Sequence, residues 1–273
     1  MKHVASSKLR KAQQAIGGMR PYQSRLDGMM ARLAGEVGEE FSTPLAEHRP
    51  VQRAVVVCLS SNSSLCGAFN SNAIKAAFTV VESLRAEGAA VEVLPIGQKM
   101  AEKLKKSGYA FESANASLLD KPNYGNAADI ADQLMERFTS PDIDKVVLVY
   151  NHFKNTATQV VTTETLLPVT INESRDESEA ATVNGQWSTV NNYLIEPSHR
   201  ELLESLLPKG IALKLYTAVL DSLAAEHSAR VIAMQTATDN ADQLLHDLTL
   251  MYNKTRQAAI TAELLDIVGA SFQ

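Results

Sequence analysis

The chain contains 273 residues, 45% of them hydrophobic, with 36 alanines but only seven tyrosines, seven phenylalanines and one tryptophan. That mixture favours helix over sheet, and a globule of this length buries roughly three quarters of its unfolded surface, which excludes overall disorder. With 26 basic and 31 acidic residues the net charge is -5, which argues against a nucleic-acid binder working through general charge.

From Met1 to about Phe41, small and apolar residues recur at steps of four and three: Ala5, Leu9, Ala12, Ile16, Met19, Leu26, Met30, Leu33 and Val37, broken only by Gln23. This spacing predicts a long helix with a coiled-coil seam. Pro21 removes one backbone hydrogen bond and crowds the carbonyl of Gly17, so a bend is expected there, not a stop. The basic start lacks the apolar core and cleavage site of a secretory signal and reads as mature structure. Thr43 to Pro50 is a turn-rich link.

Strand and helix then alternate. Arg53 to Ser60 reads as a buried strand, Phe69 to Glu87 as an amphipathic helix, Ala90 to Ile96 as a second strand and Gln98 to Lys106 as a short helix. Asn126 to Phe138 is predicted helical, Lys145 to Asn151 a further buried strand, and Gln159 to Val169 an antiparallel or edge strand. Such alternation implies a mostly parallel sheet covered by helices. Asn172 to Ala181 is a charged link without apolar content. No apolar run approaches the roughly 18 residues that a membrane-spanning helix needs, so any membrane contact is expected to be indirect.

From about Ser198 onward the pattern is helical, with an interruption expected at Pro208 to Gly210. Beyond it a stripe runs from Leu213 through Leu220, His227, Met234, Ala241, Leu248 and Thr255 to Leu265, a span of about 80 Å at 1.5 Å per residue. Small residues at Ala5, Ala12, Ala237, Ala241, Ala258 and Ala262 would let two helix backbones approach closely. The expected fold is therefore α/β, a Rossmann-like, mostly parallel sheet domain over 43–197, flanked by shaft helices at 1–42 and 198–273 that form an antiparallel coiled coil. The competing arrangement packs both helices on the sheet.

Little in the chain reads as catalytic. The Ser60 to Asn70 loop sits where phosphates bind in strand-to-helix turns, but it lacks both G-x-x-x-x-G-K-[ST] and G-x-G-x-x-G, and Gly67 alone cannot build a phosphate cradle. Two cysteines are too few for a disulfide framework and suit a reducing, cytoplasmic compartment. Cys58 lies in an apolar strand as a small hydrophobe; Cys66 is expected to be more exposed, without a histidine nearby to activate it. His3, His48, His152, His199, His227 and His246 form no metal-binding pair, so no metal, cofactor or catalytic triad is assembled. Positive charge gathers at Lys2, Lys8, Arg10, Lys11, Arg20 and Arg25, with no acid among the first 26 residues, and suits an acidic partner surface. Near the other end Arg256, Gln257, Thr261 and Glu263 cluster on an alanine-rich helix, where helical spacing puts Gln257 and Thr261 on adjacent turns of one face. Such side chains can hydrogen-bond an external sleeve or simply face solvent.

The run from Ala229 to Val268 resembles the gamma subunit of F-type ATP synthase, through A-R-x-x-A-M-x-x-A-T-D-N (Ala229 to Asn240) and Y-N-K-x-R-Q-A-x-I-T-x-E-L (Tyr252 to Leu264). The start, MKHVASSKLRKAQ, and the Ser60 to Asn70 loop match the same family, so the resemblance covers the whole chain. Asn62, Ser63 and Ser64 stand where the family commonly has Asp-Arg-Gly, and His3 replaces a usual Met. The family's first helix begins roughly twenty residues, or about 30 Å, upstream of the match to Met1, so a truncated or misassigned start is expected.

The resemblance implies a non-catalytic rotor stalk without a cofactor of its own. Its coil would sit inside three alpha and three beta subunits, with its α/β domain beside the epsilon subunit and the c ring, on the cytoplasmic face of a bacterial inner membrane. It further implies that Arg256, Gln257, Thr261 and Glu263 engage a beta catch loop, that Arg230 lies in the coupling region, and that Lys2, Lys8, Arg10 and Lys11 face an acidic segment of beta. Two other classes remain open on the residues alone: a nucleotide-binding α/β enzyme, and a coiled-coil scaffold.

Overall fold

The computed structural model describes residues 2–37, 43–170, 195–196 and 198–271. The charged link at Asn172 to Ala181 lies outside them. In chain order the elements are α1 (Lys2–Val37), a single 3-10 turn (Pro44–Ala46), β1 (Arg53–Leu59), α2 (Phe69–Ala86), β2 (Ala90–Ile96) and α3 (Gln98–Lys106). There follow α4 (Ser117–Asp120), α5 (Tyr124–Thr139), β3 (Lys145–Phe153), β4 (Gln159–Leu167) and α6 (His199–Ser271).

The sheet has the order β2-β1-β3-β4, with β1 parallel to both neighbours and β4 antiparallel to β3. Period-two alternation sends β1 and β3 side chains to opposite faces, and both faces are buried, which is why these strands read as continuous apolar runs. Val55, Val57, Leu59, Leu148 and Tyr150 meet Ala131, Leu134 and Phe138 of α5 together with Ile211, Leu215, Val219 and Leu223 of α6. Val56, Cys58, Val147 and Val149 meet Ala77, Val81 and Leu84 of α2 and Met100 and Leu104 of α3. Helix α5 starts earlier than the predicted Asn126, because Asn123 caps it by accepting the Gly125 N–H at 3.2 Å.

Helices α1 and α6 run antiparallel. His199 Nε2 meets Glu36 at 2.6 Å at one end, and the Lys2 ammonium meets Gln235 at the other. Between them Leu33 packs with Leu203 and Leu207, and Leu9 and Ile16 pack with Leu220 and Ala224. The approach is close: a Cβ on Gly210 would stand 2.8 Å from Met30 Cε. Ala5, Leu9, Ile16, Leu26 and Leu33, all on the predicted stripe, are buried.

Three expectations change. Helix α6 is unbroken through Pro208 to Gly210, since the carbonyl that Pro208 frees belongs to Glu204, which is exposed and can bond to water. The pairing also covers only part of the seam. Over the described residues α1 has 36 residues, about 54 Å, and α6 has 73, about 110 Å; α1 is paired with α6 up to Gln235, and Ala237, Ala241, Ala258 and Ala262 are exposed. Finally, the first part of α6 joins both arrangements that the sequence left in competition, with one side on the sheet and another on α1.

Candidate functional site

Beyond Gln235, α6 stands as a single exposed rod. Between 236 and 268 only Asn253 is even half-buried. Among the described residues eleven large apolar side chains are exposed on it: Leu244, Leu245, Leu248, Leu250, Met251, Tyr252, Ile260, Leu264, Leu265, Ile267 and Val268. At 100° per residue these positions fall on every side of the helix. Polar and charged residues such as Asp239, Asp242, Asp247, Lys254 and Arg256 are interspersed with them, so the surface is mixed.

The polar group near the end of this rod is where the spacing placed it. Arg256, Gln257, Thr261 and Glu263 are all exposed, and the Thr261 hydroxyl donates to the Gln257 carbonyl at 2.8 Å, one turn back. Lys2, Lys8, Arg10 and Lys11 are exposed on α1, some two to three turns or less from its start. The structure does not bring these two groups together: α1 begins beside Gln235, well before the polar end of α6.

Arg230 is different from the other candidates. Its side chain is 15% exposed, bound to Glu226 at 2.7 Å, and it donates to Ser63 Oγ at 2.7 Å and to the carbonyls of Ser63 and Ser64 at 3.3 and 3.2 Å. The loop it holds is filled by its own groups. Asn70 accepts the Ser61 N–H at 3.0 Å and donates to Cys66 Sγ at 3.1 Å, while Asn62 donates to the Ala116 carbonyl at 2.9 Å and accepts the Gln98 N–H at 3.2 Å. Cys66 is therefore buried, contrary to the expectation, beneath Phe69 and Ala225 of α6. In open α/β sheets ligands bind outside the carboxyl ends of the strands where the strand order reverses. Here α6 covers that edge, next to β1 and β3.

A second set of contacts has no signature in the sequence. Asp221, buried in α6, receives Arg20 of α1 at 2.8 Å and stands 2.7 Å from His152 Nδ1 of β3. These partners are far apart along the chain, and no local pattern marks Asp221, which simply follows Leu220 in the stripe. A polar cleft of about 190 Å³ opens beside them, lined by Arg20, Gln23, Tyr150, Glu164 and Lys214 among others. The Tyr150 hydroxyl donates to Glu164 at 3.0 Å, and burial, with Glu164 adding to it, pushes that phenol well above its ordinary value. Burial likewise raises the Cys58 thiol, which is inert in its strand. Among the described residues no group of His, Cys, Asp and Glu could hold a metal ion.

The family profile for ATP synthase matches residues 1–271. The ATP synthase gamma chain of Phocaeicola vulgatus is 45% identical over 272 residues, covering 99% of this chain and 91% of that protein. This chain belongs to the ATP synthase gamma chain family. The gamma chain of Flavobacterium johnsoniae is 42% identical over 275 residues, covering 99% of this chain and 90% of its own. Among solved structures, the central stalk of the Tetrahymena thermophila mitochondrial ATP synthase, determined with its c ring, is 25% identical and superposes with a TM-score of 0.60, covering 87% of this chain and 97% of that one. As a gamma chain, the protein is the non-catalytic rotary stalk of the synthase. That accounts for a strand-to-helix loop closed by its own side chains.

Proposed function

We propose that residues 1–42 and 198–273 act as the shaft of this gamma chain, and residues 43–197 as the domain through which the c ring turns it. The division is one of function, because Ile211 to Leu223 of α6 also pack in the core of the α/β domain. The reading is supported by membership of the family together with α6 itself, one continuous helix of 73 residues that leaves the core of the α/β domain and carries large exposed apolar side chains between 244 and 268. A single coiled-coil partner would need one stripe. A ring of three alpha and three beta subunits would surround this stretch of α6.

In this reading Arg256, Gln257, Thr261 and Glu263 offer hydrogen bonds to the beta catch loop, and Lys8, Arg10 and Lys11, with Lys2 at the α1 terminus, face an acidic segment of beta. Arg230, turned into its own chain, sits at the base of the coupling region. The epsilon subunit and the c ring dock on the α/β domain. No described helix is long and apolar enough to cross a membrane, and gamma subunits are peripheral components of a membrane-bound enzyme. We place this one on the cytoplasmic face of the inner membrane, held through the c ring.

Reconstitution tests the reading. Alpha and beta subunits assembled with this chain should differ strongly in ATPase rate from the same subunits without it, with one copy bound per hexamer. Equal rates would overturn it. The nucleotide-enzyme alternative requires ATP to bind the isolated chain and mutation of the Ser60 to Gly67 loop to abolish it; no binding is expected, because α6 and the loop's own amides fill that edge.

A further inference from the structure

Helix α6 leaves the sheet at its carboxyl edge, and three polar ties hold it there. Asp221 binds Arg20 of α1 at 2.8 Å and His152 of β3 at 2.7 Å, while Arg20 also donates to the Phe153 carbonyl at 3.0 Å. Ser228 donates to the Thr156 carbonyl, between β3 and β4, at 2.6 Å. Arg230, held by Glu226, reaches Ser63 Oγ at 2.7 Å and the Ser64 carbonyl at 3.2 Å in the loop after β1. Over the same residues the apolar packing of α6 thins to Leu223, Ala224 and Ala225, and from 236 to 268 its side chains are exposed except for the half-buried Asn253.

The arrangement of these ties around the helix matters more than their number. At 100° per residue, Ser228 returns to within about 20° of the side that carries Asp221, whereas Arg230 lands about 180° from it. The helix is gripped on opposite sides. Apolar contact is non-directional and lets a helix reseat as it turns, while charge-assisted hydrogen bonds are strong and weaken steeply with angle.

We propose that this collar, Asp221 with Arg20 and His152 on one side and Arg230 with the Ser63-Ser64 loop on the other, is the torque joint of the chain. It fixes the angle of α6 against the sheet, so that rotation delivered to the α/β domain reaches the exposed rod and is not lost as slip where the rod emerges. The inference rests on the stalk reading. Asp221 and Arg230 are positioning residues in it, acting through the elements they clamp.

The experiment uses the assembled synthase with the hexamer immobilised and a probe on the c ring, recording the spread of dwell angles together with ATP hydrolysis and ATP-driven proton pumping. A charge-assisted bond is roughly twice as strong as a neutral one, so Asp221→Asn is expected to widen the angular variance about twofold and to lower protons pumped per ATP, while hydrolysis stays within about twofold of wild type. Ser63→Ala, which leaves the buried carboxylate in place, should widen the variance less, and the double variant more than either. If Asp221→Asn fails to fold, Arg20→Gln with Ser63→Ala softens the same two sides from their exposed partners. An unchanged variance in the double variant overturns the joint, and so does a parallel fall of hydrolysis, pumping and thermal stability, which is the mark of a purely structural role. A wild-type assembly that does not rotate overturns the stalk reading itself.

Discussion

His227 is buried in α6, and its Nδ1 has no hydrogen-bond partner among the described residues. Burial, reinforced by Arg230 and Lys8, pushes its pKa from 6.5 down to about 4. Between those two values the unfolded chain binds a proton that the folded chain does not, so His227 contributes stability above about pH 6.5 that is lost as the pH falls toward 4. The full effect is at most about 3 kcal/mol at 1.36 kcal/mol per pKa unit. Glu226 works in the opposite sense at the acid end, because burial raises its pKa against the pull of Arg230. The loss should therefore be steepest on the upper part of the window. Urea unfolding at pH 7 and pH 5 checks it: His227→Gln is expected to flatten the difference, and an equal difference in wild type and variant would assign it elsewhere. A second position tests the packing beneath the loop. Gly97 has φ +119°, and a Cβ there would stand 2.7 Å from both the carbonyl oxygen and Oγ of Ser60, the latter of which accepts the Met100 N–H at 3.0 Å. Gly97→Ala should cost roughly 2–4 kcal/mol in thermal or urea unfolding, since strain and overpacking add; a loss under about 0.5 kcal/mol, the level of an ordinary surface change, would show that the β1–α2 loop can give way.

The helices carry interior prolines without stopping. Pro21 frees the carbonyl of Gly17, which is exposed, just as Pro208 frees that of the exposed Glu204. A helix-interior proline is about 3 kcal/mol less favourable than alanine, part of which is recovered because proline restricts the unfolded chain, so Pro21→Ala should stabilise the protein by about 1–2 kcal/mol. A melting temperature that falls instead would mean the ring is needed for α1 to follow α6. On the rod, Arg256→Ala and Gln257→Leu should leave fold stability within about 0.5 kcal/mol while weakening hexamer binding or coupling, because both side chains are exposed. A sharp drop in melting temperature with binding intact would make these residues structural. These cases also mark how much could be read from residues alone. The seam of α1 and the buried strands were legible because periods of 3.5 and 2 are local properties, and the polar end of α6 because Gln257 and Thr261 are one turn apart. The unbroken run of α6 through Pro208 was not, since it depends on Glu204 facing water. Nor was the Asp221–His152 contact, 69 positions apart, or the burial of Cys66, which depends on Ala225 arriving from the far end of the chain.

At the scale of the molecule the net charge of -5 hides an asymmetry with a consequence for assembly. The first 26 residues carry six Lys or Arg and no acid, and Lys8, Arg10 and Lys11 are exposed close to where the rod leaves the α/β domain, while Asp239, Asp242 and Asp247 lie on the rod just beyond. The exposed apolar side chains of the rod supply attraction without direction, so they cannot choose the angle at which the rod enters a ring of similar subunits. Charge can, because an exposed one-signed face steers encounter and fixes register more than it adds affinity. Exchanging Arg10 and Lys11 for Glu should therefore slow association with the alpha-beta hexamer, by about tenfold at low salt, and leave dissociation of the formed complex nearly unchanged. With a screening length near 8 Å at 0.15 M salt and 3 Å at 1 M, the difference between wild type and variant should shrink as salt rises. Stopped-flow assembly over a salt series measures both quantities. A variant that dissociates faster while associating at the wild-type rate would place Arg10 and Lys11 in tight, desolvated contacts, and the steering role of the α1 face would fall.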